Sequence, residues 1–117
     1  MAITEAYTRT AQSVGASEYS IPNNTTTSVP VATSNTGVFQ CYIDLVNMAK
    51  GDEYEFAVYE TVRASGTIRN VYRQSFLGDH ATIFVTPTLV LMNGWDMTMK
   101  KIAGTDRTFD MSIRKVA

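Results

Sequence analysis

The chain has little of what most catalytic chemistry requires. Its 117 residues include one cysteine and one histidine. A lone Cys41 excludes an internal disulfide framework. A single His80 among scattered acids offers too few good donors for a metal site, and it reads as a turn histidine beside Asp79. Gly-rich phosphate loops and calcium-loop spacing are missing; AGTDR at 103–107 is too short and leads into a strand. The net charge of −1 gives no bulk pull toward nucleic acid or anionic lipid, so neither is expected as a partner. No apolar run approaches the roughly 18 residues of a membrane-spanning helix. The opening MAITEAYTRT has no apolar leader core, so no secretion signal is expected and folding in a reducing cytosol is the natural reading. These deficits lead to an expectation of no enzyme activity, no cofactor and no metal.

What is present is alternation. Hydrophobic residues make up 44%, enough for one core in one domain. In VFQCYIDLV the residues Phe39, Cys41, Ile43 and Leu45 share one face, and Gln40, Tyr42 and Asp44 the other. Glu53 to Val62 turns Tyr54, Phe56, Val58 and Val62 inward, and Thr67 to Phe76 turns Ile68, Tyr72 and Phe76 inward. Ala81 to Val85 and Thr88 to Met92 read as short strands parted by Pro87. Asn93-Gly94 is the strongest hairpin signal, ahead of a strand with Trp95, Met97 and Met99 on one face. The last strand places Phe109, Met111 and Ile113 inward and Asp110, Ser112 and Arg114 outward. No segment has the period of an amphipathic helix. The pattern predicts an all-β fold, an antiparallel sandwich of seven or eight strands in a jelly-roll or immunoglobulin-like arrangement, or a small barrel.

The first 36 residues read differently. From Pro22 to Thr36, ten of fifteen residues are Ser, Thr or Asn and none is charged. Alone, such a stretch cannot bury enough apolar surface to offset its ordering entropy. Residues 1–36 are therefore expected to form an N-terminal arm or extended edge segment, and 37–117 the β-domain. Ile3 to Val14 reads as an edge strand. Tyr19, Ile21, Pro22, Val29 and Pro30 are the arm residues expected to dock on a partner.

The segment 51–76 carries acids and then arginines on one face. An antiparallel pairing sets Glu55 opposite Arg73, Tyr59 opposite Arg69 and Ala57 opposite Val71; a slipped register sets Glu60 opposite Arg69. Glu60 reads as a rim residue held by an arginine. Asp52, Glu53 and Glu55 read as a solvated strand start. Cys41, between Phe39 and Ile43, reads as a small buried hydrophobe. Tyr42, Glu55, Tyr59, Arg69 and Arg73 form the expected contact surface, because exposed Tyr and Arg are what interfaces favour.

Several blocks together resemble small proteins of tailed bacteriophages: Asp44-Leu45, Gly51-Asp52, Tyr59-Glu60, Arg69 to Tyr72, Gly94-Trp95, Ala103 to Arg107 and Phe109-Asp110. The resemblance covers roughly residues 17–116; Met111 stands where that pattern carries a tryptophan. It implies a non-enzymatic virion protein assembled in the bacterial cytoplasm, a capsid decoration or cement protein. Its implied partners are the major capsid protein and further copies of itself, as a trimer or dimer. Two other readings stay open: a neck, tail or fibre-associated β-domain, and a carbohydrate-binding module using Trp95 or Tyr42.

Overall fold

Each strand forms where apolar and polar side chains alternate, because that period turns one set to a common core. In the computed structural model, which describes residues 2–79 and 82–116, no helix occurs among the described residues and ten strands do. They are β1 (Ile3–Val14), β2 (Tyr19–Ser20), β3 (Thr25–Thr26), β4 (Gly37–Asp44), β5 (Glu53–Glu60), β6 (Arg69–Leu77), β7 (Ile83–Val85), β8 (Leu89–Leu91), β9 (Trp95–Ala103) and β10 (Arg107–Val116). All pairings are antiparallel. The first sheet runs β1-β10-β4, with β7 and β8 sharing the far side of β4; the second runs β3-β2-β9-β5-β6.

One core joins the two sheets. Phe39, Cys41 and Ile43 of β4 and Phe109, Met111 and Ile113 of β10 pack with Tyr54, Phe56 and Val58 of β5 and Trp95, Met97 and Met99 of β9. Rings meet across the layers: Phe39–Trp95 with centroids 4.7 Å apart, Tyr54–Phe109 at 4.9 Å and Phe76–Phe84 at 4.8 Å. Such pairs contribute about 0.5–1.5 kcal/mol beyond area burial. The inward sets of β4, β5, β9 and β10 agree with the alternation, apart from Val62, which lies beyond β5 and is 91% exposed.

Three expectations need correction. Asn93-Gly94 does not close a hairpin: β8 pairs with β4 in the first sheet and β9 with β2 and β5 in the second, so this turn carries the chain between layers. Gly94 takes a positive φ of 77° there, which explains the Asn-Gly signal without a hairpin. Next, the β5–β6 register is shifted by two: Glu55 opposes Ser75 and Ala57 opposes Arg73. An even shift keeps every side chain on its face. An extra residue at Val71 then slips the ladder by one, so that Tyr59 opposes Asn70 and Glu60 opposes Arg69.

The edge strand expected at Ile3 to Val14 is present as β1; the third correction concerns Tyr19, Ile21 and Pro22, expected to dock on a partner. β1 joins the first sheet by pairing with β10 from Ile3↔Val116 to Val14↔Arg107. Val14, Tyr19, Ile21 and Pro22 are buried. The Ile21 N–H donates to the Met97 carbonyl at 2.9 Å. The polar, proline-broken stretch could not order alone; the residues at its start, Tyr19, Ile21 and Pro22, dock on a core built by later strands, while Val29 and Val31 within it stay exposed.

Candidate contact surfaces

The expected contact residues fall on two different sheets. Glu55, Tyr59, Arg69 and Arg73 belong to β5 and β6 of the second sheet; Tyr42 belongs to β4 of the first. On the second sheet, Arg73 pairs with Glu55 diagonally at 2.5 Å. The Tyr59 hydroxyl donates to Glu18 Oε2 at 2.8 Å, and Thr98 Oγ1 donates to the same oxygen. Burial, followed by that Glu18 bond, raises the Tyr59 hydroxyl pKa above its usual value. Tyr59 is thus held by its own chain. Glu60 accepts from the Met92 N–H at 2.6 Å and the Asn93 N–H at 3.0 Å. It caps the interlayer turn, rather than pairing with an arginine. Arg69 opposes it and is exposed.

Residues 22–33 form an arch beside β9: Thr25 and Thr26 pair with β2, Thr33 bridges to Trp95, and Val31 reaches Asp96. Asp96 points away from the Trp95 and Met97 face, yet is fully buried. Its carboxylate accepts from Ser20 Oγ at 2.7 Å and from the Val31 N–H at 3.0 Å. Asn23 donates to Ser20 Oγ and to the Val31 carbonyl, both at 2.9 Å. Burial raises the Asp96 pKa; the Ser20 and backbone bonds oppose that rise. The arch crest remains outside: Val29 is exposed and Pro30 half-buried. No local signal in the sequence marks Asp96, because the segment that buries it is more than sixty residues earlier in the chain.

Asp52 also departs from expectation. It is buried at the mouth of the sandwich rather than solvated. Its oxygens accept from Arg107 Nε at 2.7 Å, the Ala49 N–H at 2.9 Å and the Thr105 N–H at 3.1 Å. These bonds, the Arg107 one first, hold its pKa down to about 2. The Tyr54 hydroxyl donates to the Thr105 carbonyl and accepts from the Arg107 N–H, each at 2.8 Å. Together they lock the β9–β10 turn against the start of β5.

The surface with interface chemistry lies on the outer face of the first sheet. Tyr42 sits between Ser112 of β10 and Val85 of β7. The Arg114 guanidinium carbon stands 3.7 Å from the centroid of its ring. Arg114 Nε donates to Ser112 Oγ at 3.4 Å, and that hydroxyl donates to Glu5 Oε2 at 2.6 Å. A groove of about 280 Å³ runs here, with Glu5, Arg9, Tyr42, Asp44, Ile83 and Arg114 among its walls. Beside it Ile83, Val85, Val90 and Met92 form an exposed apolar strip along β7 and β8. Of the five expected residues only Tyr42 belongs here; Arg114 was read simply as outward-facing.

Cys41 is fully buried, and burial pushes its thiol far above the usual range. Trp95 is buried and donates its indole N–H to the Asn35 carbonyl at 2.5 Å, so its face is not available to a sugar. His80 lies outside the described residues. Among the described residues no group of three or more His, Cys, Asp and Glu is placed to hold a metal ion. No protein-family model, curated protein or solved structure matches this chain.

Proposed function

We propose that the chain is a non-enzymatic structural protein of a phage virion, a decoration or cement protein that stabilises the head by binding the major capsid protein. The contact part of this reading is carried by one observation: the Tyr42–Arg114 stack beside the exposed strip Ile83, Val85 and Val90. Tyr and Arg set in an apolar surround are typical anchors of protein interfaces, and a guanidinium preset over a ring loses little freedom on binding. The assignment to a phage head rests on the sequence blocks from Asp44-Leu45 to Phe109-Asp110. The fold that accompanies it is a sandwich of jelly-roll or immunoglobulin-like type, with the crest around Val29 and Pro30 as a second point of contact.

Quantitative mass spectrometry of gradient-purified particles tests this reading, using the phage that encodes the chain. Copy numbers comparable with the major capsid protein support head decoration. A few copies per particle move the chain to the neck or tail, and absence refutes a virion role. Tyr42→Ala combined with Arg114→Ala should lower occupancy on heads while leaving the melting temperature close to that of the parent. Full occupancy in that variant would overturn the choice of surface.

A further inference from the structure

We propose that β6 pairs with β6 of a second copy about a two-fold axis at Gln74, joining two second sheets into one continuous sheet. The inference concerns the chain alone and holds whether or not it binds a head. Three of the four sheet edges are short or interrupted. β1 is broken by two register shifts and by Ala11 at a φ of 47°. β3 has two residues, while β7 and β8 have three each and are parted by Pro87. These are the usual ways of blunting an edge. The remaining edge, β6, is nine residues long; its one irregularity is the extra residue at Val71, and from Tyr72 to Leu77 it runs in regular register.

The sequence of that edge is symmetric in character. Around Gln74, VYRQSFL reads apolar, aromatic, polar, polar, polar, aromatic, apolar. A two-fold antiparallel pair centred there sets Val71 against Leu77, Tyr72 against Phe76 and Arg73 against Ser75 of the second copy. A two-fold interface requires such self-complementarity. Val71 and Leu77 are exposed in the single chain, at 47% and 67%. Centring on Arg73 would oppose two arginines, and centring on Ser75 would set Phe76 against Gln74.

Backbone phase agrees. The Gly78 N–H donates to the Asp52 carbonyl at 2.9 Å. Alternation then turns the backbone groups of Tyr72, Gln74 and Phe76 toward β5, and those of Arg73, Ser75 and Leu77 toward the open edge. Those are the residues that the Gln74-centred register brings into hydrogen-bonded pairs. Tyr72 and Phe76 fall in the closer, non-hydrogen-bonded rungs, where cross-strand rings pack best. The charges fit as well. Arg73, which would otherwise guard the edge, is already neutralised by Glu55.

The test uses the purified full-length chain and sedimentation velocity. The parent should run as a dimer, at twice the 12.9 kDa chain mass. Val71→Lys with Leu77→Lys opposes like charges at both ends and should raise the dimer Kd by about tenfold or more. Val71→Lys with Leu77→Glu should restore the dimer in a salt-sensitive way; within one chain the two side chains are too far apart to pair. Both positions are exposed, so the monomer fold should survive. Gln74→Cys should give a disulfide-linked dimer on mild oxidation, because the two Cα atoms would stand about 4.5 Å apart. Leu77→Cys should not, being some 20 Å from its own copy in this register. A parent that stays monomeric at its highest soluble concentration overturns the proposal. So does a dimer indifferent to the double-lysine variant, or equal cross-linking through the two cysteines.

Discussion

Truncating Ile21 to alanine separates a docked segment from a free arm. The side chain is 0% exposed within the shared core, although it precedes a stretch whose composition suggests disorder. The Ile21 N–H bond to Met97 involves backbone alone and survives the substitution. The loss is therefore one of packing, and Ile→Ala in a well-packed core costs about 2–5 kcal/mol. The whole domain is expected to be stable by about 5–15 kcal/mol, so this is a large share. With an unfolding entropy of about 2.1 cal/mol/K per residue, each kcal/mol corresponds to roughly 4 °C for a chain of this size. Ile21→Ala should therefore lower the Tm by about 8–20 °C. Val29→Ala is the control. Val29 is 65% exposed and should change stability by less than about 0.5 kcal/mol. Urea unfolding of both variants with a shared slope gives the comparison. If Ile21→Ala matched the parent within about 0.5 kcal/mol, residues 19–22 would not belong to the core. The same reasoning predicts that deleting residues 1–36 unfolds the domain, since it removes β1, β2 and Ile21 together.

Three further outcomes are expected. Asp52 has its pKa lowered to about 2 by Arg107 and two backbone N–H groups, so its stabilisation is present above the ordinary carboxylate range and is lost as pH falls from near 4 toward about 2; thermal melts across that window should show a smaller acid loss in Asp52→Asn than in the parent. Asp96→Asn leaves one acceptor oxygen where two serve the Ser20 hydroxyl and the Val31 N–H, and should cost about 1–3 kcal/mol; unchanged denaturant stability would remove Asp96 as the anchor of the arch. Cys41 should resist a thiol reagent in the native state and react only as fast as the chain opens, because its thiol is buried and its pKa raised; a fast reaction with folded protein would contradict its burial.

The inward-facing sets Phe39–Cys41–Ile43, Tyr54–Phe56–Val58, Trp95–Met97–Met99 and Phe109–Met111–Ile113 were legible because alternation is local. A strand shows which of its side chains share a face whatever it pairs with, and the all-β class follows from the seven or eight such runs; the two-residue β2 and β3, which bring the described strands to ten, are too short to alternate. The face on which Glu55 and Arg73 meet was legible too, since the actual register differs from the expected one by an even number. The contact surface was only partly legible. Tyr42 was visible as outward and aromatic, but its stacking partner Arg114 comes from a strand seventy-two residues away, a neighbour set by the β10–β4 pairing.

By itself, the sequence determined the strand-forming runs, the composition of the core and the palindromic character of VYRQSFL, because each depends on residues near one another in the chain. Only the tertiary structure decided which layer each strand joins. It sent Asn93-Gly94 between sheets, folded the polar arch over Asp96, drew Asp52 out of solvent onto Arg107, and left β6 at an edge. The physical reason is the same in each case. Periodicity orients a side chain relative to its own backbone, whereas burial, charge partners and edges depend on which distant strands lie alongside.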